Sequence, residues 1–101
     1  MAITHSVFFR LKHGTGSGEE KEFFRKSLDI LVPIPGVKDF QVLKQTSAKA
    51  DFDFGFSMVF ENEEAYQAYN NHPDHVNYVE QIWLKEVDSF QEIDHQPLPG
   101  F

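Results

Sequence analysis

The sequence predicts an α+β fold whose strands and helices follow one another in the order β-α-β-β-α-β. Residues 3–12 and 52–60 place apolar side chains at every second position, which is typical of strands that bury one face. Residues 19–31 instead repeat apolar side chains every three or four positions, which is typical of an amphipathic helix. A second helical pattern begins near residue 61 and is interrupted by Pro73.

The first strand, residues 3–12, has one face that is apolar except for a histidine. That face consists of Ile3, His5, Val7, Phe9 and Leu11. The opposite face is mostly polar but contains Phe8, so both sides of the strand carry a large apolar group. The glycine-rich residues 13–18 predict a turn after it.

The first helix, residues 19–31, has an apolar stripe and an acidic first turn. The stripe consists of Phe24, Leu28 and Leu31. Phe23 and Ile30 flank the stripe, and the prolines and glycine of residues 33–36 end the helix. The acidic side chains suit the positive end of the helix dipole. Residues 37–46 alternate moderately and predict the second strand.

The second half of the chain predicts two strands around a broken helix. The third strand, residues 52–60, has an apolar face of Phe52, Phe54, Phe56, Met58 and Phe60. Asn62 suits the cap of a short helix, His72 suits a cap at the break, and Pro73 suits the first turn of the helix that restarts. The restarted helix has an apolar stripe of Val76, Val79, Ile82 and Trp83. Residues 86–94 predict the last strand.

Composition limits the classes of function. The 101 residues suit a single domain, residues 1–101, with 41% hydrophobic and 25% charged side chains. The net charge is −7 and the nine basic residues are scattered, which disfavours binding to nucleic acids or to anionic membranes. The chain has no cysteine, and its N-terminus lacks the apolar stretch of a signal peptide, so we expect a cytoplasmic protein.

The predicted element order is that of a ferredoxin-like fold, with a four-stranded antiparallel sheet and helices on one face. The other face would then be bare, although the first strand places Phe8 on it. A bare apolar sheet face needs a partner. We therefore expect a homodimer in which two sheets close into an α+β barrel.

The candidate site residues are His5, Tyr69 and His75, which all face the space between the sheet and the broken helix. The alternative is structural: His5 is a hydrogen-bonded core histidine, and Tyr69 and His75 tie the two helix halves together. A metal site at His72, Asp74 and His75 is disfavoured because Pro73 breaks the helical spacing. No phosphate-binding loop or nucleophile motif is present.

Four segments of the chain carry a resemblance to a known family: THSVFFRLK, EFFRKSL, YNNHPDHVNYVEQIW and VDSFQEIDH. They resemble the stress-responsive A/B barrel domain family, whose members are dimeric α+β barrels. The resemblance implies that His75, Tyr69 and His5 take the pocket roles of a cofactor-independent polyketide cyclase of that family, with no cofactor and no metal. The implied pocket wall consists of Val7, Phe9, Phe23, Phe24, Leu28 and Val79.

Two functions remain open on the sequence. The first is a stress-responsive homodimer that binds a small apolar or aromatic ligand. The second is a cofactor-free cyclase or lyase in which His75 removes a proton and Tyr69 hydrogen-bonds the developing anion, while His5 fixes the carbonyl. A cofactor-free monooxygenase of the same architecture is a variant of the second function.

Overall fold

The computed structural model describes residues 1–101 and confirms the predicted order of elements. The strands are β1 (Ile3–Leu11), β2 (Lys38–Lys44), β3 (Phe54–Phe60) and β4 (Val87–His95). The helices are α1 (Gly18–Leu31), α2 (Glu63–Asn71), α3 (Pro73–Tyr78) and α4 (Leu84–Glu86), with a π-helical turn (Val79–Trp83) between the last two. None of these helices is long and apolar enough to cross a bilayer.

The four strands form one antiparallel sheet in the order β2-β3-β1-β4, as the ferredoxin-like prediction requires. β1 is therefore central and pairs with β3 on one side and β4 on the other. Within this register His5 lies opposite Met58 of β3 and opposite Asp94 of β4. Directly paired residues share a sheet face, so Asp94 lies beside His5 on the face that the helices cover.

The core lies between that face and the helices. It contains Ile3, Val7, Phe9 and Leu11 of β1 and the alternate residues Phe56, Met58 and Phe60 of β3, as the two alternating patterns predict. Phe9 is fully buried at its centre, with ring centroids 4.9 Å from Phe56 and 4.9 Å from Trp83. Such tilted and edge-on aromatic contacts add stability beyond the area that they bury.

The buried face of α1 differs from the predicted stripe. Leu31 is buried as predicted, but Phe23 and Ser27 are buried where the stripe predicted Phe24 and Leu28, which are half-buried. The reason is the hydroxyl of Ser27, which donates to the carbonyl of Phe23 at 2.7 Å and accepts from the Tyr78 hydroxyl at 2.6 Å. A polar residue satisfied in this way can occupy a core position.

The predicted break at Pro73 is confirmed, together with the residues that stabilise it. The Asn62 side chain caps α2 by accepting from the amide of Ala65 at 2.8 Å. Pro73 occupies the first turn of α3, and Nδ1 of His72 accepts from the amide of Asp74 at 3.1 Å.

Beyond the break, the predicted apolar stripe is partly wrong. Val76 is 42% exposed, and Tyr78 is buried in its place. Trp83 is buried as predicted, but a π-helical turn carries it there, closed by a bond from the amide of Leu84 to the carbonyl of Val79. The wider turn changes which side chains face the sheet, and an unbroken helical period does not predict it.

No helix covers the second face of the sheet. Its central part carries Ser6 and Ser57, whose hydroxyls lie 3.3 Å apart, and Phe8, which lies across Gly55. A Cβ at position 55 would lie 2.7 Å from the Phe8 ring, so glycine leaves the space that this ring fills. Leu43 and Ile93 lie beside Phe8 on the same face and line a shallow groove with it. This apolar surface is the bare face expected from the sequence.

Candidate functional site

A cavity of about 110 Å³ lies between the sheet and the broken helix. Its floor comes from β1 and β3 and includes His5, Val7, Phe56 and Met58. Its roof comes from α2, α3 and the π-helical turn and includes Tyr69, His75, Tyr78, Val79 and Trp83. The exposed residues Leu84, Phe90 and Glu92 border it, so the cavity opens to solvent between the π-helical turn and β4.

His5 is held in one orientation by Asp94 and Tyr66. Its Nδ1 lies 2.5 Å from Oδ1 of Asp94 and 3.0 Å from the Tyr66 hydroxyl, and that hydroxyl donates to Oδ2 of Asp94 at 2.7 Å. A carboxylate only accepts hydrogen bonds, so Nδ1 carries the proton. Nε2 makes no hydrogen bond within the chain and is the nitrogen available in the cavity.

In His75, as in His5, Nε2 is the ring nitrogen available in the cavity. Its Nδ1 donates to the backbone carbonyl of Asn70 at 3.1 Å, across the break between α2 and α3. Nε2 is again left as a free acceptor. Burial lowers the pKa of His75, although the bond to Asn70 opposes the shift. The imidazole of His5 lowers that pKa further, as expected for two histidines that line one cavity.

Tyr69 supplies the third polar group. Its side chain lines the cavity and the residue is only 2% exposed, yet its hydroxyl makes no hydrogen bond within the chain. Its ring centroid lies 4.4 Å from that of His75. Burial raises the pKa of the Tyr69 hydroxyl well above its ordinary range, so the group keeps its proton and remains a donor. The buried side-chain atom without a partner in this chain is Oγ of Ser89, so the Tyr69 hydroxyl is accessible from the cavity, where a ligand or water can accept its proton in a hydrogen bond.

The structure therefore brings the three candidate residues His5, Tyr69 and His75 to one cavity. Of the implied wall, two residues line this cavity and four lie beside it. Val7 and Val79 line the cavity, whereas Phe9, Phe23, Phe24 and Leu28 do not. The three phenylalanines pack against one another beside it, with Phe9 5.8 Å from Phe23 and 6.3 Å from Phe24. From α1, the ring centroid of Phe23 lies 6.2 Å from that of Phe56 and the ring centroid of Phe24 lies 5.0 Å from that of Phe54, so both rings contact the sheet.

Sequence reasoning missed Asp94 and Tyr66. Asp94 lies 89 residues from His5 in the chain and becomes its neighbour only through the pairing of β1 with β4. Tyr66 could have been found, because it lies three residues before Tyr69 and shares its face of α2. Burial, followed by the bond to Asp94, raises the pKa of Tyr66, so it also stays protonated.

The other histidine near the break has a structural role in this geometry. Nδ1 of His72 is used in capping α3 and lies 3.9 Å from the carboxylate of Asp74. No group of three or more His, Cys, Asp or Glu side chains is arranged to hold a metal ion.

Fold and cavity together define a small ferredoxin-like α+β protein with two histidines and a tyrosine in a partly enclosed pocket. The chain belongs to the stress-responsive A/B barrel domain family, whose sequence model matches residues 3–97. A ferredoxin-like protein of this family from Mesorhizobium loti is 49% identical and superimposes with a TM-score of 0.95, over 96% of this chain and 97% of its own.

More distant structures share the fold. A dimeric ferredoxin-like protein of unknown function from Thermobifida fusca is 24% identical, with a TM-score of 0.72 over 94% of this chain and 90% of its own. A hydroxynitrile lyase from Passiflora edulis is 12% identical, with a TM-score of 0.83 over 99% of this chain and 96% of its own. Among proteins of curated function, none matches the sequence significantly.

The bond between Asp94 and His5 predicts a measurable tautomer. In the parent protein at about pH 8, the imidazole ¹⁵N spectrum should show His5 with Nδ1 protonated and Nε2 bare. Asp94→Asn should shift His5 toward a mixture of tautomers, because the carboxamide no longer requires a proton on Nδ1. Asp88→Asn, which changes an exposed carboxylate elsewhere on β4, is the control. An unchanged tautomer in Asp94→Asn would contradict the assignment.

The lowered pKa of His75 predicts a pH dependence of stability. Because the folded state disfavours the imidazolium, the unfolded state binds more protons near the ordinary imidazole pKa of about 6.5. The contribution of neutral His75 to the free energy of unfolding is therefore complete above the ordinary imidazole pKa. It is lost as the pH falls from there toward the lower pKa of His75 in the folded state. His75→Gln should lose less unfolding free energy than the parent between about pH 8 and about pH 5 in urea titrations. An equal loss of unfolding free energy in the parent and in His75→Gln would contradict the prediction.

Proposed function

We propose that this protein binds a small carbonyl compound in the cavity and transfers a proton from a carbon next to the carbonyl, without a cofactor. The observation that carries the proposal is the fixed orientation of His5. Asp94 occupies its Nδ1 at 2.5 Å, and the free Nε2 belongs to a ring that lines the cavity. A histidine oriented by a carboxylate in this way is a suitable general base.

Asp94 has a second effect on the proposed step. When Nε2 of His5 accepts a proton, the ring becomes a cation, and the adjacent carboxylate stabilises that charge. His75 lacks such a partner, because its Nδ1 is bonded to a neutral backbone carbonyl and burial lowers its pKa. The geometry therefore favours His5 as the base, in place of the sequence-based expectation that His75 removes the proton.

Tyr69 and His75 complete the arrangement. Removing a proton next to a carbonyl places negative charge on the carbonyl oxygen, and the Tyr69 hydroxyl, which lines the cavity and makes no hydrogen bond within the chain, is a donor for that charge. Nε2 of His75 accepts a hydrogen bond from a hydroxyl of the ligand and so fixes its position. The apolar side chains of Val7, Met58 and Val79 surround these polar groups, as in other small-molecule pockets.

The hydroxynitrile lyase of Passiflora edulis supports one part of the proposal. It has the same fold by superposition, so a chain of this architecture can carry lyase activity. At 12% identity the comparison is one of fold, and the chemistry proposed for this chain rests on His5, Tyr69 and His75.

The proposed proton transfer can be tested by isotope exchange. The protein is incubated in deuterium oxide with a panel of small aldehydes and ketones, and loss of the α-proton signals is followed by NMR. The parent should accelerate exchange of at least one compound, and His5→Gln should slow it by about 10²–10⁴-fold. His95→Gln is the matched control, because His95 is exposed and does not line the cavity.

Two results would overturn the proposed activity. One is exchange by the parent no faster than in buffer across the panel, which would leave ligand binding alone as the function. The other is a His5→Gln variant that keeps the parental rate, which would place the base elsewhere.

We also propose that two copies associate through the bare sheet face. The support is the apolar groove that contains Phe8, Leu43 and Ile93, since a face of this kind is normally covered. The Thermobifida fusca structure with the same fold is described as dimeric. A second copy related by a two-fold axis would place one groove against the other.

The dimer proposal predicts the mass in solution. Sedimentation velocity at micromolar concentration should give twice the chain mass for the parent and a monomer for Phe8→Glu, because the new carboxylate would be buried in the interface. Val42→Glu should remain dimeric, since Val42 is exposed and pairs with Phe56, on the helix-covered side of the sheet. A monomeric parent would contradict the proposal.

A further inference from the structure

The charges around the cavity exclude one class of ligand. No lysine or arginine lines it, and the exposed carboxylate of Glu92 lies at its mouth. A second carboxylate, that of Asp94, lies directly behind His5. A ligand carboxylate would enter past one negative charge and stop near another, without a cation to pair with.

The hydrogen-bonding groups of the cavity point to the same conclusion. Nε2 of His5 and Nε2 of His75 are lone-pair acceptors, and the Tyr69 hydroxyl is a donor. The carboxylate group of a ligand only accepts hydrogen bonds, so this group could accept from the Tyr69 hydroxyl but could bond to neither imidazole. Burial also lowers the pKa of His75, so this ring stays neutral and does not become a cation for an anionic ligand.

The size of the cavity sets the scale of the ligand. A volume of about 110 Å³ is somewhat smaller than an engineered apolar cavity of about 150 Å³ that holds benzene. The enclosed part therefore accommodates a polar head of a few non-hydrogen atoms. A longer apolar group would extend between Leu84 and Phe90 at the mouth.

We propose that the cavity selects small uncharged α-hydroxycarbonyl compounds and rejects the corresponding carboxylates. The ligand hydroxyl donates to Nε2 of His75, and the ligand carbonyl accepts from the Tyr69 hydroxyl. The carbon–hydrogen bond between these two groups then lies toward Nε2 of His5. The proposed selection rests on the proposed function for its reactive step, although binding can be measured separately.

The reactive step is balanced without a further reactant. The carbon–hydrogen bond breaks, its proton moves to Nε2 of His5, and its electron pair forms the carbon–carbon double bond of an enediolate. The charge on the enediolate oxygen is held by the Tyr69 hydroxyl. Return of the proton to the same carbon gives the starting compound. Its delivery to the former carbonyl carbon gives the isomer once the hydroxyl proton has passed through Nε2 of His75 to the other oxygen, so nothing is oxidised or reduced overall.

Hydroxyacetone and lactate form a matched pair of probes, because both are three-carbon α-hydroxycarbonyl compounds and only lactate is charged. Binding is measured at about pH 8 through the imidazole ¹⁵N signals, and exchange of the hydroxyacetone methylene protons is followed in deuterium oxide. Hydroxyacetone should bind at least about tenfold more tightly than lactate. Glu92→Gln should narrow that ratio, whereas Glu64→Gln, an exposed carboxylate that does not line the cavity, should leave it unchanged.

The outcomes separate the two proposals. Lactate binding as tightly as hydroxyacetone, or binding of neither probe, overturns the selection for uncharged ligands. Selective binding of hydroxyacetone without accelerated exchange supports the selection and counts against proton transfer. A ratio that does not respond to Glu92→Gln removes the electrostatic basis of the selection and overturns it.

Discussion

A buried imidazole on the central strand needs partners, and much of this structure follows from how they are supplied. His5 interrupts the apolar face of β1 at a position that is almost closed to solvent. Leaving such a group unsatisfied costs about 1–3 kcal/mol. Asp94 from β4 and Tyr66 from α2 bond to the same ring nitrogen, so one interaction joins an edge strand, the central strand and a helix. The same bonds leave Nε2 free, and the stabilising network therefore also orients the candidate base.

The break at Pro73 contributes the other half of the site. Its two ends are joined by the cap from His72 and by the bond from His75 to the carbonyl of Asn70. These bonds satisfy backbone groups that a helix end would leave open. Tyr69 has no such structural bond, although it is as deeply buried as the core phenylalanines. His75 thus ties the two helix halves together through its bond to Asn70, whereas the hydroxyl of Tyr69 makes no hydrogen bond within the chain.

Local patterns were sufficient for the fold and for part of the site. Alternation predicted β1 and β3 because each buries one face, and the cap and proline at the break placed Tyr69 and His75 toward the sheet. The role of Asp94 depends on the pairing of β4 with β1, two strands at opposite ends of the chain. The residues around Asp94 in the sequence do not indicate that it pairs with His5. The predicted apolar stripe of α1 omits Ser27, but two hydrogen bonds allow this polar residue to be buried. Such effects depend on tertiary partners, which periodicity does not describe.

Along the chain, the π-helical turn lies between Tyr69 and His75, which are polar groups of the cavity, and Leu84 and Phe90, which border its mouth. A π-helical turn holds more residues than an α-helical turn, and each residue of an α-helix corresponds to a rotation of about 100°. Deleting one residue between Val79 and Trp83 would rotate the following side chains, Trp83 in the cavity wall and Leu84 at its mouth, about the helix axis. Tyr69 and His75 precede the deletion and would keep their places. Changes in chain length at this point offer a route by which related chains can evolve differently shaped openings around unchanged candidate site residues.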